Sequence, residues 1–197
     1  MYRVQTRNDH EAFAQLVQRW QQPVRRLCVR MTGDEHSGQD LAQETFARVF
    51  SRRHAFIPGR KFSTWLWRIA INLCHDEFRR VSRRGETSLE SLSQRGGATG
   101  NDPAPDEQLL EQERAALVRA AVSALPEERR VVLLLREYEG LKFREIAEVL
   151  EVPEGTVKWR MSEALADLSR QLRPIFDPPT PSPKLVPMAT AQERLVL

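Results

Sequence analysis

Three groups of side chains in this sequence have the types and the spacing to bind other molecules. The first is a row of polar residues at helical spacing, Asp40, Gln43, Glu44 and Arg48. Two carboxylates four residues apart on a helix repel each other mildly. Either they complement the dipole near a helix N-terminus, or they form a face that docks on another protein. We adopt the docking hypothesis for these four residues.

The second group mixes aromatic rings with cations and an amide along the segment 61–84. Aromatic rings can stack on unpaired bases, and Arg, Asn and His can hold bases or phosphates. The alternative is burial, because a helix that is apolar all round usually lies in a core. We expect this group to bind nucleic acid through Trp65, Trp67, Arg68, Asn72, His75, Arg79 and Arg80.

The third group lies on the last amphipathic segment, where an apolar stripe with Val157 and Met161 opposes a polar face. Trp159 lies on the polar face, where a large ring needs DNA or a protein to cover it. Glu163 and Asp167 favour the alternative, an ordinary solvated face, because carboxylates repel phosphates. The candidate DNA contacts are Thr156, Trp159 and Ser162 toward bases, and Lys158 and Arg160 toward phosphates.

The elements that must position these groups are all predicted to be helices. In the N-terminal part we expect four. The first carries the apolar residues of 13–20, and the second begins at Pro23, whose missing N–H costs nothing in a first turn. The third and fourth span 37–53 and 61–84, and Pro58-Gly59 marks the loop between them.

The C-terminal part predicts a helix-turn-helix. Leu125-Pro126 begins one helix, and two amphipathic helices follow, with apolar stripes over 143–150 and 157–172. The second helix of such a unit can enter the major groove of DNA. The turn between them contains Glu151, and a positive φ at that residue would cost about 1 kcal/mol.

Composition divides the chain into four segments. Residues 1–84 carry 16 Lys and Arg against eight Asp and Glu, which indicates a polyanionic partner. Residues 85–107 are rich in Gly, Ser, Pro and acids and predict a flexible linker. Residues 108–173 form a second domain, and six prolines near its end predict a disordered tail over 174–197. The expected fold is all-α, with two small helical domains joined by the linker.

Other classes of function have little support in the sequence. The four histidines and the two cysteines, Cys28 and Cys74, show no metal-ligand spacing, and we expect the cysteines to be buried. There is no Gly-rich phosphate loop and no nucleophile elbow. We therefore expect neither an enzyme nor a metal or other cofactor. The apolar runs are too short to cross a bilayer, and no secretory signal is present, so we expect a cytoplasmic protein without membrane insertion.

Taken in order, these stretches resemble the extracytoplasmic-function (ECF) branch of the sigma-70 family of RNA polymerase sigma factors. Asp40–Phe50 is similar to the segment that grips the clamp helices of the polymerase largest subunit. Lys61–Leu73 resembles the segment that recognises the minus-ten element and opens the strands. Leu125-Pro126, Ile146-Ala147 and Glu154–Lys158 resemble the minus-thirty-five helix-turn-helix.

The resemblance covers about residues 10–172 and implies a binding protein without covalent catalysis. The implied partners are core RNA polymerase and promoter DNA, with an anti-sigma factor as a further candidate. The stretch after Lys158 departs from the family, which usually continues with a small residue and an Arg-rich helix, whereas Trp159 follows here. Two alternatives remain: a stand-alone helix-turn-helix regulator, which leaves the aromatic segment 61–84 unexplained, and an adaptor that binds only protein.

Overall fold

A computed structural model describes residues 1–85 and 106–176 of the 197-residue chain, with side chains over 1–83 and 111–173. The predicted linker, 85–107, and the predicted tail, 174–197, lie almost wholly outside these ranges. All regular structure in the described parts is helical, in agreement with the predicted all-α fold. The helices are α1 Tyr2–Arg7, α2 His10–Thr32, α3 Glu35–Ser51, α4 Phe62–Gly85, α5 Asp106–Ser123, α6 Glu127–Glu137, α7 Phe143–Leu150 and α8 Glu154–Phe176, with a 3₁₀ turn at Arg53–Ala55.

The first bundle, α1 to α4, differs from the predicted one at Pro23. We expected a new helix to begin there, but α2 runs through Pro23 without a break. A proline in a helix interior leaves the carbonyl four residues earlier, that of Arg19, without its helical donor. The prediction was wrong because α2 has apolar residues packed on the core both before and after Pro23, and this burial outweighs one lost hydrogen bond. These residues are Phe13, Val17 and Trp20 before it, and Val24, Leu27, Cys28 and Met31 after it.

A single glycine sets how α3 packs on α2. Gly38 lies against Val29, and a Cβ on Gly38 would lie 2.5 Å from Val29 Cγ2 and 2.6 Å from Val29 Cα. Asp34 begins α3, since its side chain accepts the Ser37 N–H at 2.7 Å. This close crossing fixes the rotation of α3 about its axis. The buried side of α3 carries Ala42, Thr45, Phe46 and Val49, and the polar row of the helix faces outward.

The second bundle, α5 to α8, is built around α6. The five consecutive residues of α6 from Val131 to Leu135 are all buried. The Glu145 side chain caps the start of α7 by accepting the Lys142 N–H at 2.9 Å. Glu151 ends α7 with φ 57, the left-handed conformation considered above, which costs about 1 kcal/mol. That conformation turns the chain into α8 and completes the predicted helix-turn-helix.

The two bundles lie against each other, with α4 in contact with α7 and α2 in contact with α6. Arg130 of α6 donates to the Met31 carbonyl of α2 at 2.6 Å, and the Arg30 guanidinium lies 3.9 Å from the centre of the Tyr138 ring. Burial raises the pKa of Glu139, and the positive charge of Arg26 and Arg30 on α2 partly offsets this shift. The sequence did not predict these contacts, because the pairs that meet are about 100 residues apart in the chain.

Within the described ranges, no helix is long and apolar enough to span a membrane, and no three His, Cys, Asp or Glu side chains cluster as metal ligands. Cys28 and Cys74 are both buried and free, as predicted. A hydrogen bond with Cys28 and burial both raise the pKa of the Cys74 thiol. The Cys74 thiol therefore stays protonated, and both cysteines act as core side chains.

Candidate polymerase and nucleic-acid interfaces

The four predicted docking residues lie on the outer side of α3. Asp40, Gln43 and Glu44 are exposed, and Arg48 is half-buried with its Nε 2.8 Å from Glu44 Oε1. The helix dipole stabilises carboxylates mainly in the first turn. Because α3 begins at Glu35, Asp40 and Glu44 lie beyond that turn. Dipole complementation therefore does not explain these carboxylates, and an exposed polar face remains.

A groove of about 530 Å³ adjoins this face, between α2 and α3. Four carboxamides line it, from Gln21 and Gln22 on α2 and from Gln39 and Gln43 on α3, with Phe46 among its apolar residues. Each carboxamide can both donate and accept hydrogen bonds, so the groove can hold the polar groups of a docked helix. Sequence reasoning missed three of these glutamines because they are distributed over two helices. The recurrence of Gln in both helices was the sequence signal that could have identified this groove.

The two tryptophans of α4 lie in different environments. Trp67 is 1% exposed and packs edge-on against Trp20, with ring centroids 5.8 Å apart. The assignment of Trp67 to a base contact therefore does not fit this structure, because α2 covers that side of α4. Trp65 is half-buried, with its ring centroid 5.5 Å from that of Phe56 and 6.2 Å from that of Phe62. Part of its side chain is therefore accessible to a base.

The middle and the end of α4 carry the other candidates. Asn72 and Arg79 are exposed. The Arg80 guanidinium is held on its own helix, since its Nε and Nη2 each lie 2.7 Å from a carboxylate oxygen of Glu77. This hydrogen bonding raises the pKa of Arg80. Asn72 and Arg79 are thus presented to solvent, whereas Arg80 must exchange Glu77 for a phosphate in order to bind one.

Two cations at the start of α4 face the second bundle. Lys61, which directly precedes α4, forms an ion pair with Glu145 of α7. Their hydrogen bond raises the pKa of Lys61 and lowers that of Glu145. Arg68 donates from Nη2 to the Glu148 carbonyl at 2.5 Å, and its Nη1 lies 2.8 Å from Glu151 Oε1. The turn of the helix-turn-helix therefore contacts a residue that we assigned to DNA.

His75 also faces the second bundle, since its Nδ1 contacts the Glu127 carboxylate at the start of α6. Near the other end of α4, a cavity of about 750 Å³ lies between the bundles. Trp65 and Arg68 line it from the first bundle, and Glu145 is among the lining residues from the second. The candidate nucleic-acid face of α4 thus borders directly on the second bundle.

The outer face of α8 carries the predicted base contacts. Trp159 is 56% exposed, Ser162 is exposed and Thr156 is half-buried. The Arg129 guanidinium of α6 lies 5.9 Å from the centre of the Trp159 ring. One ring face is therefore close to a cation of the same bundle, and more than half of the side chain remains accessible to a partner.

The two acids of α8 that we expected to repel phosphates have a local partner. Asp167 Oδ2 lies 2.5 Å from Arg129 Nη1, and Glu163 Oε2 lies 3.3 Å from Arg129 Nη2. Arg129 thus balances much of their charge. The packing of α8 on α6 accounts for their presence on α8, which weakens the argument that they make against a DNA-facing helix.

The two predicted phosphate contacts of α8 are not equivalent. Lys158 is exposed, with Nζ 2.7 Å from Glu154 Oε1 on the same helix. The Arg160 side chain is only 16% exposed, and its Nη2 lies 2.6 Å from Glu128 Oε2 of α6. A phosphate can replace the exposed Glu154 at Lys158 more readily than it can reach the covered Arg160. We therefore retain Lys158 as the principal phosphate candidate and regard Arg160 mainly as a link between α8 and α6.

Two family models match this chain: Sigma-70 region 2 over residues 16–84, and Sigma-70, region 4 over residues 115–168. The first match contains most of α2, all of α3 and all of α4 except Gly85. The second contains α6, α7 and α8 as far as residue 168. Together with the all-helical fold, these matches define a sigma-type transcription initiation factor with a helical region on each side of a connecting segment.

Relatives along most of the chain specify the branch. The chain is 33% identical over 172 residues to the ECF RNA polymerase sigma factor SigW of Bacillus subtilis (strain 168). This match covers 85% of this chain and 92% of that protein. It is 35% identical over 175 residues to the RNA polymerase sigma-H factor of Pseudomonas aeruginosa. This match covers 86% of this chain and 91% of that protein. The chain belongs to the ECF sigma factors of the sigma-70 family.

Solved structures share the fold. The sigma factor RpoE in complex with the anti-sigma factor NepR from Bartonella quintana superposes with a TM-score of 0.67 at 20% identity, over 83% of this chain and 98% of that chain. CnrH in complex with the cytosolic domain of CnrY superposes with a TM-score of 0.60 at 27% identity, over 83% of this chain and 89% of that chain. Both superpositions extend over the two bundles.

Proposed function

We propose that this protein binds core RNA polymerase through α3 and the adjoining groove, and that it reads promoter DNA through α4 and α8. It is a sigma factor that directs promoter recognition and transcription initiation, and it acts by binding rather than by catalysis. The observation that carries this conclusion is the pair of sigma-70 regions in one chain, in the family order. A stand-alone helix-turn-helix regulator would not account for the first region.

The docking surface in this proposal consists of Asp40, Gln43 and Glu44 with the glutamines of the groove. These side chains are exposed, and no apolar packing within the bundle requires them. Their carboxylates and carboxamides suit a partner helix that carries cations and polar side chains. The partner in this proposal is the clamp-helix region of the largest polymerase subunit, and because transcription takes place in the bacterial cytoplasm we place the protein there.

The DNA-reading surface in this proposal has two parts. On α4, Trp65 and Asn72 hold an unpaired base of the opened minus-ten element, and Arg79 contacts the backbone. On α8, Trp159 and Ser162 approach the base edges of the minus-thirty-five element, and Lys158 contacts a phosphate. Each part can bind weakly alone, because linkage in one chain raises the effective concentration of the second. An anti-sigma factor that covers either part would inhibit the protein.

The test of polymerase docking is the change Glu44→Lys. A reversed charge on the docking face should lower the affinity for core RNA polymerase by about tenfold or more, as measured by titration of labelled protein. The matched control is Glu113→Lys on exposed α5, which makes the same change in net charge away from the docking face. Equal affinities for the two variants, with both chains folded by circular dichroism, would show that α3 is not the docking helix.

A further inference from the structure

We propose that Gln5 of α1 is a positioning residue for strand opening, because it holds the segment that supports the Trp65 ring. The contacts run from α1 to the 3₁₀ turn at Arg53–Ala55, and from there through Phe56 to Trp65. α1 precedes both family matches, since the first begins at residue 16. The inference rests on the assignment of Trp65 to an unpaired base under Proposed function, and the experiments below distinguish a failure of one from a failure of the other.

The Gln5 carboxamide bridges two carbonyls of the segment between α3 and α4. Its Nε2 donates to the His54 carbonyl at 3.1 Å and to the Phe56 carbonyl at 2.9 Å, and these partners are 49 and 51 positions away in the chain. A carboxamide nitrogen carries two N–H groups, so both donors of Gln5 are used. A side chain that spans two carbonyls of one short segment fixes the backbone of that segment relative to α1.

The helix that carries Gln5 is itself tied to the rest of the first bundle. Val4, the preceding residue of α1, is fully buried. At the junction with α2, Asp9 Oδ1 accepts the Ala12 N–H at 2.8 Å, and Asp9 Oδ2 lies 2.7 Å from Arg3 Nη2 of α1. The short helix is therefore held by an apolar contact and by an ion pair. Gln5 extends from a fixed support, which a residue needs in order to position another.

The Phe56 ring connects the bridged segment to α4. Phe56 is 7% exposed, and its ring centroid lies 5.5 Å from that of Trp65 and 6.2 Å from that of Phe62. Closely packed rings transmit a displacement from one to the next, because the core has few voids into which a ring can move. Neither hydrogen bond of Gln5 is fully buried, so water can replace them at little cost in stability. The main effect of losing Gln5 is therefore a shift of Phe56 and, with it, of Trp65.

Hydrogen exchange of the complete chain tests the link between α1 and this segment without reference to DNA. Gln5→Met keeps the length of the side chain and suits a helix, but it donates no hydrogen bond. The amides of Ala55 and Phe56, which are bonded in the 3₁₀ turn, should then exchange about two- to tenfold faster, as measured by mass spectrometry. The matched control, Gln15→Met, makes the same change at an exposed position of α2. Equal exchange in the two variants would overturn the proposal.

A double-mutant cycle tests the consequence for strand opening. The readout is the yield of opened promoter with polymerase holoenzyme, at equal occupancy, on the promoter that the wild-type chain uses best in a library. Gln5→Met alone should lower this yield by about two- to fivefold, and it should have no further effect when combined with Trp65→Leu. Leu keeps an apolar side chain in the ring cluster and removes the indole. A purely structural role of Gln5 would lower the yield equally in both backgrounds, and that result would overturn the proposal.

The same measurements separate this inference from the proposed function. If Trp65→Leu lowers the yield of opened promoter but Gln5→Met does not, the role of Gln5 fails and the assignment of Trp65 stands. If Trp65→Leu leaves the yield unchanged, the assignment of Trp65 to an unpaired base fails, and the role of Gln5 in strand opening fails with it. If the wild-type chain directs no initiation at any promoter, the proposed function fails as a whole, and only the link seen by hydrogen exchange remains.

Discussion

The helices α4 and α8 are the two that we assign to promoter DNA, and they differ in which part of the protein pairs with their cations. At the start of α4, Lys61 and Arg68 contact carboxylates that belong to the other bundle, whereas Arg80 pairs with Glu77 of its own helix. On α8, Lys158 pairs within its own helix and Arg160 pairs with α6 of the same bundle. Separation of the bundles would therefore free Lys61 and Arg68 together and leave Arg80 and the cations of α8 unchanged.

This difference shows that the cations of the two helices that we assign to DNA depend on different levels of structure. Access to α4 depends on the arrangement of the bundles, whereas access to α8 depends on the exchange of one local partner for another. A surface ion pair contributes only about 0.2–1 kcal/mol, so the exchange of one carboxylate partner for a phosphate needs little free energy.

The largest expected effect contrasts the tryptophans of the two helices. Trp67→Ala should lower the free energy of unfolding of the first bundle by about 3–5 kcal/mol, because it leaves a cavity under α2. Trp159→Ala should change stability by less than about 1 kcal/mol, since the ring is mostly exposed. Chemical denaturation followed by circular dichroism measures both. A small loss for Trp67→Ala would contradict its burial and reopen its assignment to DNA.

The next effect concerns promoter choice by α8. Trp159→Ala should change the order of preference among minus-thirty-five sequences. Each lost base contact should remove about 1–3 kcal/mol of discrimination against the wrong base. Transcription in vitro on a promoter library, with Lys158→Ala as the comparison variant, measures the order. Lys158→Ala should lower the use of all promoters alike. An unchanged order for Trp159→Ala would mean that this ring packs on a protein.

A smaller effect is expected for strand opening by α4. Asn72→Ala should lower the yield of opened promoter by roughly two- to tenfold at equal polymerase occupancy, which is the range for one hydrogen bond. Permanganate footprinting of unpaired thymines measures the open complex. Templates that are already unpaired at the minus-ten element should restore the yield. An equal defect on duplex and pre-melted templates would assign Asn72 to another step.

The smallest effect sharpens the contrast between the two cations of α8. Lys158→Ala should reduce the slope of log affinity against log salt concentration by about one unit, as for one lost phosphate contact. Arg160→Ala should leave this slope unchanged and instead lower stability, since it removes the link to Glu128. Salt titrations of DNA binding by polymerase holoenzyme measure the slope. A lower slope for Arg160→Ala as well would show that Arg160 also contacts a phosphate.

Much of the fold could be predicted because local patterns dominate it. The periodic apolar residues predicted α3, α4 and the helix-turn-helix, and Glu151 was identified as the residue of the turn where a positive φ would be costly. The prediction of a break at Pro23 was wrong because local proline chemistry was outweighed by packing along the whole of α2. The glutamine groove was missed because its residues come from two helices.

The sequence alone determined the helices, their polar faces and the family resemblance, since each depends on residues that lie close together in the chain. Tertiary structure decided which polar residues are available. Trp67 is buried against Trp20, and Arg160 is mostly covered and paired with Glu128. The Arg68–Glu151 contact joins residues 83 positions apart, and no periodic pattern encodes such a pairing. Burial and pairing between distant segments arise only when the helices pack, so only the folded chain reveals that Trp67 is buried and that Arg68 already has an acidic partner.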